Sequence, residues 1–398
     1  MLMTTLQTIW YFISDTPVLV PVLLWPLAAW LGWRTWQPSE GSLAAGRWAA
    51  AATLAFGLLD GVLLAALPRL GLSFGPVGFP LLGITGIRLG LSLLSAGAWR
   101  WAGSRWPDAA PGRGPAAGLA LLWLINFGVL ACEIDGLYVE PFNLRVTELT
   151  LPGPSLRPGK PLRILQLSDL HVERTTKRER ETIEKVNALE PDIIVLTGDY
   201  LNLSYVDDPV AQRDARALLA QLHAPYGVYA ITARTVDPPD AVAKMFTGLD
   251  ITLLHDEVRQ LQFQEDNLYL VGIPYLDRKR DQDALRLLMS QLPQDAYALL
   301  LYHTPDLIDV AAQKGVNLYL AGHTHGGQIR LPLFGALITA SAHGKKYEQG
   351  RYTVGQTTLY VSRGIGMEGR GAPRARFLCP PEIVVVNLEN VPAQTSPR

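Results

Sequence analysis

The chain has 398 residues, room for one large domain and a second module. A formal net charge of -1 excludes a global attraction to nucleic acid or to an anionic membrane surface. The two cysteines, Cys132 and Cys379, make neither a disulfide framework nor a CxxC metal motif.

Charged residues make up 18% of the chain, below the usual quarter, and the shortfall lies in the first third. Four apolar stretches there are long enough to span a bilayer, which takes about 20 residues. They run roughly over Thr16–Trp33, Trp48–Leu67, Pro76–Ala98 and Pro115–Cys132. All are apolar around the whole circumference, unlike a helix half-buried in a soluble core. No Lys or Arg precedes the first, and no small-residue cleavage site follows it, so it is expected to be a span and not a signal peptide. Tryptophans gather near the span ends (Trp10, Trp30, Trp33, Trp36, Trp48, Trp99, Trp101, Trp106), as interfacial aromatics do. Arg34 and Arg47 fall between the first two spans, and Arg100, Arg105 and Arg113 between the last two; the middle loop has only Arg69. The positive-inside rule then puts the C-terminal domain on the extracytoplasmic side of a multi-pass protein. Asp60 and Arg88 lie near the middle of their spans, where either charge alone is costly. A structural ion pair is the expectation. A proton or substrate path is the competing reading, disfavoured because no chain of further acidic groups accompanies them.

Glu133–Arg157 reads as an exit segment with an extended stretch and a Pro/Gly loop. The division expected is a membrane module over 1–139, a catalytic domain over 140–390 and a frayed polar tail over 391–398. Strands are predicted at Leu162–Leu167, Ile193–Thr197, Val228–Thr232, Leu268–Ile273, Ala298–Tyr302, Leu318–Ala321, Thr358–Ser362 and Glu382–Leu388. Helices are predicted at Lys177–Leu189, Val210–Leu222 and Asp281–Leu292. Strands alternating with helices imply an α/β sandwich.

The informative polar clusters follow predicted strands: Ser168-Asp169-Leu170-His171, Gly198-Asp199, His303, and Gly322-His323-Thr324-His325-Gly326-Gly327. Ligand sites in α/β sheets form outside the carboxyl ends of strands. Asp with neutral imidazole is the donor set for Mn, Fe or Zn, whereas Ca takes oxygen alone. A D-x-H or H-x-H pair in extended backbone would put both its side chains on one side. One such pair alone is commonly surface decoration; the full set argues for metal. His223, His255 and His343 read as surface or loop residues.

Together Ser168-Asp-Leu-His171, Pro191-Asp-Ile-Ile-Val-Leu-Thr-Gly-Asp199, Tyr302-His-Thr-Pro-Asp306, Gly322-His-Thr-His-Gly-Gly-Gln328 and Arg376-Phe-Leu-Cys-Pro-Pro-Glu-Ile383 resemble the calcineurin-like metallophosphoesterases. The closest match is to their membrane-associated branch, over about Leu144–Leu388. The resemblance implies a four-layer αββα sandwich behind the N-terminal α-helical transmembrane module, and one or two divalent transition metals. Asp169, His171 and His325 would hold the first metal, Asp199 would bridge, and His303 and His323 would hold the second. The implied reaction is hydrolysis of a phosphoester or pyrophosphate by a metal-activated hydroxide. A lipid-linked substrate is natural for such a chain, and some relatives hydrolyse UDP-2,3-diacylglucosamine in lipid A assembly.

One motif departs from the family. Its Gly-Asn-His-Asp is replaced by Ala233-Arg234-Thr235-Val236, so Arg234 stands where a second-metal ligand is expected. Arg has no free acceptor and stays protonated. A dication and a guanidinium about 4 Å apart, at an effective dielectric of about 20, repel by roughly 8 kcal/mol. Arg234 therefore turns away, replaces the second metal as a phosphate clamp, or marks a silent metal- or phosphate-binding sensor. It could also be a merely tolerated loop residue. Asp237 or Asp240 could substitute as ligand.

Overall fold

The structure, a computed structural model, describes residues 19–35, 43–75, 77–105, 113–153, 161–234, 236–263, 266–368 and 374–389. The expected tail over 391–398 and Thr235 lie outside these. The chain forms two compact units, Met1–Tyr138 with Gly369–Arg374, and Val139–Glu368 with Ala375–Arg398.

The first unit contains α1 (Leu19–Thr35), α2 (Leu43–Arg69), α3 (Gly78–Arg105) and α4 (Arg113–Ile134). Three stretches, Arg47–Arg69, Pro80–Ala98 and Gly118–Phe142, are long and apolar enough to cross a membrane by length and composition. α1 has 17 residues with Pro26 inside and is described only from Leu19, so the expected first span begins outside the described residues. Apolar side chains such as Leu58, Val62, Leu94 and Leu124 face outward, as lipid-facing residues do. The interior holds a polar cluster. Arg88 grips Asp60 through two hydrogen bonds, Nε to Oδ2 at 2.7 Å and Nη2 to Oδ1 at 2.6 Å. Its Nη1 donates to the carbonyl and the amide oxygen of Asn126, each at 3.0 Å. The expected ion pair is therefore present. One further acid joins the pair: Glu133 Oε2 lies 3.5 Å from Arg88 Nη2, with its side chain only 2% exposed. Asn126 and Glu133 stand seven residues apart on helix α4, close to two full turns, which brings both to one face. Also in this unit, Arg374 donates to Ser73 Oγ from Nη2 at 3.0 Å. Gly75 makes room for that guanidinium; an added Cβ would sit 1.9 Å from it.

The second unit is an αββα sandwich, and side-chain alternation along its strands shows why. Its first sheet has the order β1-β14-β2-β3-β4-β5, where β1 is Arg145–Pro152, β2 Leu162–Leu167, β3 Ile193–Leu196, β4 Val228–Ala230, β5 Thr252–Leu253 and β14 Glu382–Glu389. The second has the order β12-β13-β9-β8-β7-β6, with β6 Glu257–Phe263, β7 Asp266–Gly272, β8 Tyr297–Leu301, β9 Leu318–Ala321, β12 Gly350–Val354 and β13 Thr357–Val361. In β2, Leu165 and Leu167 join a core with Ile183 and Val186 of α5 (Lys177–Leu189) and Ala215 and Leu218 of α6 (Pro209–Leu219). Leu162 and Ile164 point the other way, to Leu299, Leu301, Leu318 and Leu320 of the second sheet. The opposite faces of those strands, Leu300, Tyr319 and Ala321, pack on Leu285 and Leu288 of α8 (Arg278–Met289) and on Ile308 and Ala311 of α9 (Ile308–Gln313). Helix α7 (Pro239–Phe246) covers the first sheet through Val242 and Met245. A strand with apolar residues on both faces must be covered on both, and four layers follow. Within this frame β2, β3 and β4 run parallel, as do β8 and β9. Their carboxyl ends, where the polar clusters fall, are thereby aligned within each sheet.

Candidate metal centre

The two sheets contribute separately. Asp169 and His171 follow β2 and Asp199 follows β3; His303 follows β8, and His323 and His325 follow β9. The structure gathers all six. Ligand-capable atoms of Asp169, His171, Asp199 and His325 lie within 4.8 Å of one another, and so do those of Asp199, His303 and His323. Asp199 belongs to both groups.

The expectation of extended backbone at these pairs is corrected. Asp169 (φ 52°), His171 (42°), Asp199 (59°), His323 (69°) and His325 (50°) are all left-handed. The chain turns so sharply off each strand that extended geometry would carry the side chains past the site. Left-handed non-glycine residues cost about 1–2 kcal/mol each, and such strain collects at functional sites. Interloop hydrogen bonds hold the turns: His171 N–H to Asp199 O at 3.0 Å, Gly322 N–H to His303 O at 2.8 Å, and His323 N–H to Asp169 Oδ1 at 3.0 Å.

The donor chemistry fits a cation. His303 Nδ1–H donates to Thr197 O at 2.7 Å, and His323 Nε2–H donates to Ala340 O at 3.1 Å, since carbonyls only accept. In the neutral rings this leaves lone pairs on His303 Nε2 and His323 Nδ1, which face each other at 3.1 Å. His303 Nε2 also lies 3.3 Å from Asp199 Oδ2. Three acceptors thus converge with no donor among them unless a positive charge enters. Without a metal that charge is a proton. Burial opposes it, but Asp199 and then Asp169 outweigh burial and push His303 up to about 10. His323 is pushed down to about 4 by burial and then by the charge on His303. In the other group His171 Nε2 faces His325 Nε2 at 3.0 Å and Asp199 Oδ2 at 3.5 Å, while His325 Nε2 lies 3.4 Å from Asp169 Oδ1. Burial and then His171 hold His325 well below the ordinary imidazole range. Asp199 Oδ1 is buried with no hydrogen-bond partner. Buried acceptors left so need a cation.

Arg234 does not enter. Its backbone N–H donates to Tyr275 O at 2.9 Å, and its exposed guanidinium reaches Leu276 O from Nη1 at 3.4 Å. Nor does Asp237 substitute as a ligand. Its carboxylate faces the backbone instead, accepting N–H bonds from Asp199, Tyr200 and Ala233, each at 2.9 Å. Asp240, three residues further along, is the second residue of helix α7, and its side chain lies outside the described residues.

Sequence reasoning gave Asp237 another role and missed Tyr275, Gly364 and Gly366. Asp237 holds the Asp199 turn. Tyr275 sets its ring 6.0 and 5.8 Å from the rings of His303 and His323. Gly364 and Gly366 line the wall behind Asp169 and His171, where an added Cβ would fall 2.6 Å from Asp169 Cβ and 2.2 Å from Leu170 O. The signal for that wall was available: Gly-Ile-Gly follows a predicted strand, as the ligand clusters do.

This fold and donor set define a metallophosphoesterase. The chain matches the calcineurin-like phosphoesterase profile over residues 162–327 and belongs to that family. It is 32% identical over 266 residues to the metallophosphoesterase YkuE of Bacillus subtilis, covering 64% of this chain and 88% of that protein. It is 28% identical to the phosphodiesterase YaeI of Escherichia coli, over 57% of this chain and 82% of YaeI. It is 27% identical to the UDP-2,3-diacylglucosamine pyrophosphatase LpxG of Chlamydia trachomatis, over 63% and 90%.

Proposed function

We propose that the protein is a membrane-anchored, metal-dependent phosphoester hydrolase acting on a lipid-linked phosphodiester or pyrophosphate at the extracytoplasmic face. The observation that carries this reading is the convergence of Asp and His ligand atoms from both sheets on Asp199. Asp169, His171, Asp199 and His325 would hold one divalent ion, and Asp199, His303 and His323 a second. Mn, Fe or Zn suits these donors. Two such ions supply Lewis-acid polarisation of phosphoryl oxygens and a water nucleophile usable at neutral pH. The chain's own residues do the positioning. Thr197 O and Ala340 O fix the His303 and His323 tautomers, so the correct nitrogens face inward. Asp237 fixes the turn carrying Asp199. The four-donor group is the tighter site. The other has three protein donors and gains none from position 234, so it releases its ion more readily. Arg234, exposed beside Tyr275, is placed to clamp a substrate phosphate oxygen at the rim. The candidate spans support the anchoring, the loop arginines support the orientation, and the likeness to YaeI and LpxG supports a diester or pyrophosphate.

Metal analysis of detergent-solubilised protein, paired with bis-p-nitrophenyl phosphate hydrolysis, tests the reading. One ion per chain should survive dialysis and a second should be lost. Activity should vanish with chelator and return with Mn2+. Arg234→Ala should raise KM several-fold and leave kcat within about twofold, the pattern of lost ground-state binding. Protein that binds metal and hydrolyses nothing would leave the sensor reading in its place.

A further inference from the structure

Five large apolar side chains of the second unit, Leu331, Leu333, Phe334, Leu337 and Ile338, are exposed within eight residues of sequence. The unit's other exposed apolar residues, such as Tyr226, Leu253 and Leu287, are scattered singly. Isolated residues of that kind are ordinary on a soluble surface, but a contiguous patch marks an interaction site. The five sit on the small hairpin of β10 (Arg330–Leu331) and β11 (Gly335–Ala336). Leu333 at its tip is fully exposed and left-handed, with φ 65°. A leucine there bears both backbone strain and exposure to water, and either would be relieved by glycine or asparagine.

The hairpin is firmly held. The Glu348 carboxylate accepts from Ala336 N–H at 2.7 Å and from Arg330 Nη1 at 3.0 Å, and Arg330 also donates to Gly326 O at 2.8 Å. Its base adjoins the metal centre: β10 begins five residues after His325, and Ala340, just past the hairpin, accepts the His323 Nε2 proton. Two exposed cations flank it. Lys345 Nζ lies 3.5 Å from the centre of the Phe334 ring and also donates to Phe334 O, and Lys346 follows. Arg330, by contrast, is neutralised by Glu348.

An apolar tip rimmed by lysines is the pattern of a segment that dips into the headgroup and acyl boundary of an anionic bilayer. The same chain carries three candidate spans, so a bilayer is always at hand. We propose that the 331–338 hairpin inserts its tip into the lipid surface and so presents the metal centre to lipid headgroups. This deepens the function proposed above and rests on its membrane anchoring.

Spin labels on the full chain in nanodiscs of phosphatidylcholine and phosphatidylglycerol test it without any need for activity. Labels would be placed at Leu333→Cys and at Ile338→Cys in a Cys132→Ser background, with Leu287→Cys as the water-facing control. A label on native Cys132 reports whether the span is in lipid. Labels at 333 and 338 should be several-fold more accessible to oxygen than to chromium oxalate, with the reverse order at 287. Labels at 333 and 338 as open to chromium oxalate as 287, with Cys132 shielded, overturn the hairpin proposal and leave the anchoring standing. Dipolar broadening that grows with the number of chains per disc would assign the patch to a second copy and also overturn it. A water-exposed Cys132 would overturn the anchoring and this proposal together.

Discussion

Asp237 shows how much a single carboxylate can organise. It touches no substrate and no candidate ligand side chain, yet three backbone N–H groups around Asp199 end on it. Burial and then the charge of Asp199 push its own carboxyl up to about 7. Asp237→Ala strands three buried donors at about 1–3 kcal/mol each, so a loss of at least about 3 kcal/mol in chemical denaturation is expected. Asp237→Asn keeps one acceptor and should lose clearly less; equal losses for the two variants would remove the backbone-holding role. At this scale the sequence named all six residues that converge, because each follows an apolar strand and each is Asp or His. It misread Asp237 as a spare ligand, because only the folded backbone reveals which donors a carboxylate faces. It also assumed extended backbone at the D-x-H and H-x-H pairs, whose four ligand residues are all left-handed. Residue identity carries chemistry, but φ at a strand end is set by the loops around it.

At the scale of elements, the tight packing of loops on loops governs the site. Gly322 precedes His323, and a Cβ there would lie 1.9 Å from Ser168 Oγ and 2.3 Å from Asp169 Oδ2. Gly322→Ala is therefore expected to cost about 1–3 kcal/mol through overpacking. It should also lower the metal retained after dialysis, while the circular dichroism spectrum stays native. Full metal content in that variant would show that Asp169 can shift without loss. The central elements were legible: helix Lys177–Leu189 and strands Leu162–Leu167 and Leu318–Ala321 have the predicted bounds. These are fully buried strands or a strongly two-faced helix, where hydrophobic period is clear. Strands β6 and β12 were missed. Each lies at a sheet edge, with Arg259 and Gln260 exposed in one and Arg351 and Thr353 in the other, so neither forms a readable apolar run. Their pairing is dictated by neighbours far along the chain.

For the whole molecule, the polar cluster inside the first unit sets the condition for its stability. Removing one member of a buried bidentate pair leaves an uncompensated charge, typically at about 3–5 kcal/mol. Asp60→Asn and Arg88→Gln should each destabilise the protein in detergent by about that much. The double variant should recover a large part of the loss, because neither charge of the pair is then left without its partner; strictly additive losses would sink the coupling. The sequence could place Asp60 and Arg88 on facing spans from hydropathy alone. It could not place Glu133, since an acid near the end of an apolar run reads equally well as an exit residue. The first sheet carries a different consequence, in time. Strand β14, the last in chain order among the described residues, lies between β1 and β2 and pairs with both. During synthesis at about 5–20 residues per second, β1 and β2 wait through more than two hundred residues for the strand that joins them. Until then the nascent domain presents two open apolar edges, while its hydrophobic helices have already left the ribosome. Closure of the first sheet is thus postponed until β14 has been made.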